Sequence, residues 1–177
     1  MENESGSLCW ACRSGIQLIE KPYCGKCGDP VYGVVMHDYV CPACCDHEPS
    51  FIKARSAFRY RGAGKQMIHA FKYGGMTGLA NDLAEYLTAV WEIHSDGTSP
   101  DVVTGVPLYG RKERSRGYNQ SFLLGKALAS RLRLEFDGTR LERVRDTVTQ
   151  TELKASERRE NVKGAFAARE DGWTEGR

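Results

Sequence analysis

Seven cysteines and a run of arginines are the residues of this chain whose types and spacing suit chemistry. Six of the cysteines fall in three C-x-x-C pairs: Cys9 with Cys12, Cys24 with Cys27, and Cys41 with Cys44, and Cys45 follows the last pair. A C-x-x-C knuckle lets two thiolates meet one ion, and two knuckles complete a tetrahedral zinc site. Gly25 and Gly28 suit the tight turns this needs. Thirteen residues separate the second pair from the third, which resembles zinc-ribbon spacing and leaves 31–39 free for a short hairpin. The favoured tetrad is Cys24, Cys27, Cys41 and Cys44. Cys9 and Cys12 are replacements or part of a second site, which would draw on His37, His47 or Cys45. A redox C-x-x-C and plain buried cysteines are the competing readings. No βαβ pattern surrounds the pairs, which weakens the redox one. Few apolar residues accompany the cysteines, so metal would supply much of the segment's folding free energy.

The second candidate is the stretch 102–120. It opens with an apolar run, Val102, Val103, Thr104, Gly105 and Val106, which Pro107 ends because proline has no N–H for a sheet ladder. Arg111, Lys112, Arg114 and Arg116 follow within six residues, then Gly117, Tyr118, Asn119 and Gln120, and a helical pattern begins. A buried strand, a cationic loop and a helix start make an anion-site layout, since unpaired N–H groups at the helix start add to the arginine charge. A solvated basic loop on an ordinary α/β domain is the plain alternative.

These residues need elements to position them. Residues 54–60 alternate, with Ala54, Ser56, Phe58 and Tyr60 on one face, and predict a half-exposed strand. Met67, Ile68 and Phe71 mark a short helix that stops at Gly74 and Gly75; Lys72 reads as a solvated helix-end lysine rather than a ligand contact. Leu79, Leu83, Leu87, Val90 and Trp91 stripe a helix over 78–94, and Leu124, Leu128 and Leu132 another over 121–134. A short strand is expected over 141–145. Ser156, Arg158, Arg159 and Asn161 then suggest a polar turn or short helix before Val162 and Phe166 return to a core. Strand–helix alternation from residue 54 onward predicts an α/β sheet with parallel strands, whose ligands sit at the carboxyl ends of the strands. The basic loop lies at such an end, which favours the phosphate reading.

Composition sets the bounds. The 177 residues suffice for one domain plus a small module, here a cysteine-rich module over 1–50 and an α/β domain over 51–177. No run of eighteen apolar residues occurs, so no membrane insertion is expected. The N-terminus lacks a basic-then-apolar signal pattern, which points to the cytoplasm, where cysteines serve as thiols or metal ligands rather than disulfides. The first fifty residues hold three Lys/Arg against seven Asp/Glu, a net −4; the rest hold twenty-two against sixteen, a net +6. That asymmetry permits a phosphate-bearing ligand or nucleic acid without requiring either.

In order and spacing, several strings resemble one family: C-G-K-C-G-D-P, F-R-Y-R-G, I-H-A-F-K-Y-G-G, V-P-L followed by R-S-R-G-Y-N-Q, T-V-T-Q-T-E-L, and E-R-R-E-N-V-K-G-A-F. The chain is similar over nearly its whole length to the ComF family of phosphoribosyltransferase-like proteins, which includes competence proteins. The resemblance implies a type I phosphoribosyltransferase-like fold, a parallel sheet behind an N-terminal zinc ribbon. It implies that the backbone around Val106, Pro107, Leu108 and Tyr109 holds pyrophosphate, with ligand roles for Arg114, Arg116, Asn119 and Gln120. The implied reaction moves a phosphoribosyl group from phosphoribosyl pyrophosphate, bound with Mg²⁺, to an acceptor. Arginines and backbone N–H groups would stabilise the departing pyrophosphate.

The chain departs from the family in two ways. It has three C-x-x-C pairs where many relatives have four, and it contains no D-D-x-x-T-T-G string for the ribose and 5′-phosphate. The expectation is an incomplete sheet in a truncated reading frame, or a natural short form, that is not a competent phosphoribosyltransferase by itself. Three functions follow: an enzyme or fragment acting on phosphoribosyl pyrophosphate, a non-catalytic zinc-containing module that binds single-stranded DNA or a DNA-uptake helicase, and a zinc-ribbon scaffold. Tyr109 and Tyr118 flank the arginines and would stack bases in the second; loop packing is their plainer use.

Overall fold

The cysteine-rich segment has few periodic apolar residues, so it forms short pieces. Helix α1 (Trp10–Ser14) starts after Cys9, and α2 (Pro42–Asp46) starts after Cys41, with Pro42 at a first-turn position that needs no N–H. The computed structural model describes residues 8–35, 38–97, 100–150 and 153–169, and of Ala155 and Ser156 the backbone alone. His37, the end of the T-V-T-Q-T-E-L string at Thr151 and Glu152, the side chain of Ser156, and the two chain ends therefore lie outside the described residues. The described part of 31–39 contains no strand, in place of the expected hairpin. Gly33 takes φ +112 there and breaks the extended run. A single antiparallel bridge joins Tyr23 and Pro30.

The strand expected over 54–60 shrinks to one bridge between Phe58 and Leu18. The Ile19 N–H donates to the Ala57 carbonyl at 3.1 Å and the Arg59 N–H to the Gln17 carbonyl at 2.8 Å. Its inward face also differs: Ala57 is buried, while Ser56 and Tyr60 are exposed. The partner segment runs only to Pro22, which cannot extend a ladder.

Helices α3 (Gly62–Tyr73) and α4 (Leu79–His94) follow the apolar stripes. Met67, Phe71, Leu79, Ala80 and Leu83 form the core between them, with Ile16, Phe58, Leu123 and Leu124 packed against it. Strand β1 (Val102–Val103) is two residues long rather than five. It pairs in parallel with β2 (Glu135–Phe136), Val102 opposite Glu135 and Val103 opposite Phe136. The connection between them carries α5 (Gly110–Arg116) and α6 (Gln120–Leu132), and α6 packs along α4.

The expected basic loop is thus a helix. Its residues after Gly110 are good helix formers, Glu113 sits in the first turn, and Arg114 and Arg116 sit in the last, where cations meet the negative end of the dipole. Gly117, at φ +81, closes it. Strand β3 (Leu141–Arg143) pairs antiparallel with β4 (Phe166–Ala168), with α7 (Ala155–Val162) between them. The fold is mixed α/β with a small parallel sheet. Among the described residues no helix is long and apolar enough to cross a membrane.

Polar contacts tie the cysteine-rich segment to α4. Arg13 of α1 reaches Asp82 at 2.7 Å and Glu85 at 3.3 Å, and the Tyr23 hydroxyl lies 3.2 Å from His94 Nε2.

Candidate functional site: a four-cysteine centre and a cationic cleft

Two C-x-x-C turns bring four thiols together. The Sγ atoms of Cys24, Cys27, Cys41 and Cys44 all lie within 4.8 Å of one another, and those of Cys27 and Cys41 are 3.7 Å apart. A tetrahedral zinc with bonds of about 2.3 Å needs sulfurs slightly under 4 Å apart, so the cluster fits the ion. Cys24, Cys41 and Cys44 are buried.

The N–H groups of Cys27 and Cys41 point at Cys24 Sγ, at 3.5 and 3.3 Å. Burial raises the Cys24 thiol, but these donors and the Lys26 N–H outweigh it and bring the group down to about 6. Burial and the neighbouring thiols push Cys44 up to about 12. Burial also raises Cys27. Cys24 is therefore the readiest of these thiols to ligate, and a metal would draw the protons from Cys27 and Cys44.

Cys9 and Cys12 stand apart from this tetrad. The Cys12 N–H and thiol donate to the Cys9 sulfur and pull the Cys9 thiol down, while donating to Cys9 holds the Cys12 thiol up. No third metal-binding side chain joins them in a cluster among the described residues. Cys45 is exposed, with its thiol 3.8 Å from the Val40 carbonyl.

The second site is built at the end of β1. Gly105 lets β1 and α6 approach closely: a Cβ there would stand 2.6 Å from Phe122 Cδ1 and 3.0 Å from the Ser121 carbonyl. The Val106 N–H donates to Ser121 Oγ at 2.8 Å. Asn119 caps α6, its Oδ1 accepting from the N–H groups of Ser121 and Phe122, while its Nδ2 donates to the Val106 carbonyl at 3.3 Å. Of the family-implied residues, Val106 and Asn119 thus hold the strand–helix corner together. Pro107 is buried beside them.

Leu108, Arg116 and Gln120 instead line a cleft of about 810 Å³, within the range of small-molecule sites. Arg116 donates to Gln120 Oε1 and its guanidinium lies 5.0 Å over the Tyr73 ring. Arg114 is exposed on α5 and is not one of the residues lining the cleft.

Other lining residues carry no ligand role in the sequence reading: Lys72, Tyr73 and Gly75 at the end of α3, Arg143 on β3, and Val148, Thr149 and Gln150. For Lys72 and Arg143 the signal in the sequence is local, a cation at the end of an element, and such groups are usually solvated. Five cations line the cleft, Lys72, Arg111, Lys112, Arg116 and Arg143, and among the described residues no carboxylate does. Asp146, near the rim, pairs with Arg111 at 2.6 Å and lies 4.0 Å from Lys112, whose Nζ also donates to the Thr147 carbonyl at 2.8 Å. Arg143 donates to Thr147 Oγ1 and lies 5.2 Å over the Phe166 ring. Among the described residues, one carboxylate near the rim against five cations leaves the cleft positive.

No family model matches the chain, and no solved structure matches it. Curated relatives do. Competence protein F of Haemophilus influenzae is 32% identical over 90% of this chain and 69% of its own length. The DNA utilization protein YhgH of Salmonella typhimurium is 31% identical over 90% of this chain and 76% of its own. Competence protein ComFC of Bacillus subtilis is 26% identical over 68% of this chain and 51% of its own. The four-cysteine centre and the stretch that feeds the cleft both lie in a chain that aligns over nine-tenths of its length, and on that similarity the chain belongs to the ComF family.

Proposed function

We propose that the cationic cleft binds phosphoribosyl pyrophosphate or pyrophosphate on a type I phosphoribosyltransferase-like domain over 51–177, preceded by a zinc-ribbon module over 1–50. The observation that carries this reading is the lining of the cleft, five cations with no carboxylate among the described residues. Such a wall favours an anion of several charges over a neutral ligand. Arg116 and Arg143 approach from different elements and would hold the diphosphate and stabilise the charge that grows on it as it leaves. Mg²⁺, held largely by substrate oxygens, would neutralise part of that charge. Zinc in the Cys24, Cys27, Cys41 and Cys44 tetrad would hold the ribbon folded.

The relatives' names, a competence protein and a DNA utilization protein, support a DNA-related role; single-stranded DNA and a DNA-uptake helicase are the partners we propose for it. One observation favours a second, non-catalytic reading as a single-strand binder: Tyr73 and Tyr118 line the cleft among its arginines and offer rings for base stacking.

Titrating the full chain with phosphoribosyl pyrophosphate and Mg²⁺, and separately with a short single-stranded oligonucleotide, separates the two. Saturable phosphoribosyl pyrophosphate binding that is lost in Arg116→Ala is the expected result. Binding of the oligonucleotide alone, weakening steeply with salt as counterion release loses its advantage, would favour the second reading. Binding of neither would reject the cleft.

A further inference from the structure

From the sequence, Lys72 is an ordinary solvated lysine at a helix end. In the structure it is half-buried and lines the cationic cleft beside Tyr73. We propose that the last two residues of α3 form the second half of the anion site, with Lys72 meeting the bound phosphate directly and Tyr73 positioning Arg116. This rests on the reading of the cleft as an anion site and assigns it residues outside the 102–120 stretch.

The end of α3 is a fixed platform. Phe71 is buried in the core, and the Gly74 N–H donates to the Ala70 carbonyl at 2.9 Å. A Cβ at Gly74 would stand 2.9 Å from that same backbone oxygen, and Gly75 turns away at φ +67, so both glycines suit the turn that ends the helix. The Tyr118 hydroxyl donates to the Phe71 carbonyl and ties the segment after α5 to the same last turn. Lys72 and Tyr73 are therefore held in register with Arg116, although they come from a distant part of the chain.

Tyr73 touches Arg116 and little of the core. It is 61% exposed, its ring lies 5.0 Å from the Arg116 guanidinium, and its other ring contact is His69, at 4.8 Å between centroids. The ring restrains the guanidinium plane while Gln120 Oε1 takes one edge. An arginine held in this way loses less freedom on meeting a phosphate than one free in solvent. Lys72 adds a point charge beside it, which suits a ligand with a second phosphate. A merely structural Lys72 would favour the negative end of the α3 dipole, and its loss would then be felt in stability rather than in binding.

The test titrates the full chain and four variants with inorganic pyrophosphate and records each melting temperature. Tyr73→Ala should weaken binding roughly two- to fivefold, the size of an exposed cation–π contact, while Tyr73→Phe restores most of it. Lys72→Gln should weaken binding about tenfold, as expected on losing a charged hydrogen-bond donor. Its melting temperature should match that of the unchanged protein. Equal loss in Tyr73→Ala and Tyr73→Phe, or a Lys72→Gln variant that binds normally, overturns the proposal. If those variants bind normally while Arg116→Ala does not bind, the cleft remains an anion site and only the α3 assignment fails. If Arg116→Ala also binds normally, or the unchanged protein does not bind, both readings fall together.

Discussion

A thiol binds metal only after losing its proton, so the cysteine cluster should be sensitive to pH. Cys24 sits near 6 because backbone donors offset its burial, whereas Cys27 and Cys44 are raised, Cys44 to about 12. At neutral pH a metal ion must therefore displace protons from raised thiols, and acid competes for the same sulfurs. Apparent zinc affinity should rise with pH, by more than about tenfold per unit if more than one proton leaves. Chelator competition between about pH 6 and pH 8 measures the slope. A flat profile would mean that zinc does not sit on these four sulfurs. Cys9→Ser should leave that slope and the single tetrad unchanged, since Cys9 and Cys12 stand outside it.

The strand–helix corner after β1 is built with almost no slack. Gly105 has no room for a Cβ, and Asn119 bonds the first turn of α6 with one end of its amide and the Val106 carbonyl with the other. The family resemblance implies a ligand role for Asn119; its geometry is that of a buried helix cap. Asn119→Ala should therefore lower stability by about 1–2 kcal/mol, the usual cost of a lost cap, as read from denaturant midpoints at constant slope. Unchanged stability with weakened anion binding would instead return Asn119 to the ligand set. The periodic helices α3, α4 and α6 were legible in the sequence because their apolar stripes are local. The two-residue β1 was not, because strand length depends on the partner β2 and on where α6 crosses.

Across the molecule, α1 connects the cysteine-rich segment to the helical core through one cation. Arg13 follows Cys12 directly and meets Asp82, whose side chain is almost wholly buried. Removing the guanidinium weakens a buried carboxylate's set of partners, and Arg13→Ala should cost about 1–3 kcal/mol. The pair between Lys26 and Glu48 is the control: it spans 3.5 Å and Glu48 is exposed, so Glu48→Ala should change stability by less than about 1 kcal/mol. Urea unfolding of both variants makes the comparison. Equal effects would mean that the segment is held by something other than this contact.

The sequence by itself determined what depends on neighbours along the chain: the C-x-x-C knuckles, the apolar faces of three helices, the cationic composition of 110–116, and the order of motifs that identifies the family. Only the tertiary structure decided which of those parts meet. It brought together Cys24, Cys27, Cys41 and Cys44, the tetrad the spacing favours, and left Cys9 and Cys12 aside. It turned the basic stretch into a helix, and it set Lys72 from α3, Arg116 from α5 and Arg143 from β3 around one cleft. The physical reason is that a local period reports which face of an element is apolar. The direction of a long cationic side chain is set by packing between elements far apart in sequence, and no spacing along the chain records it.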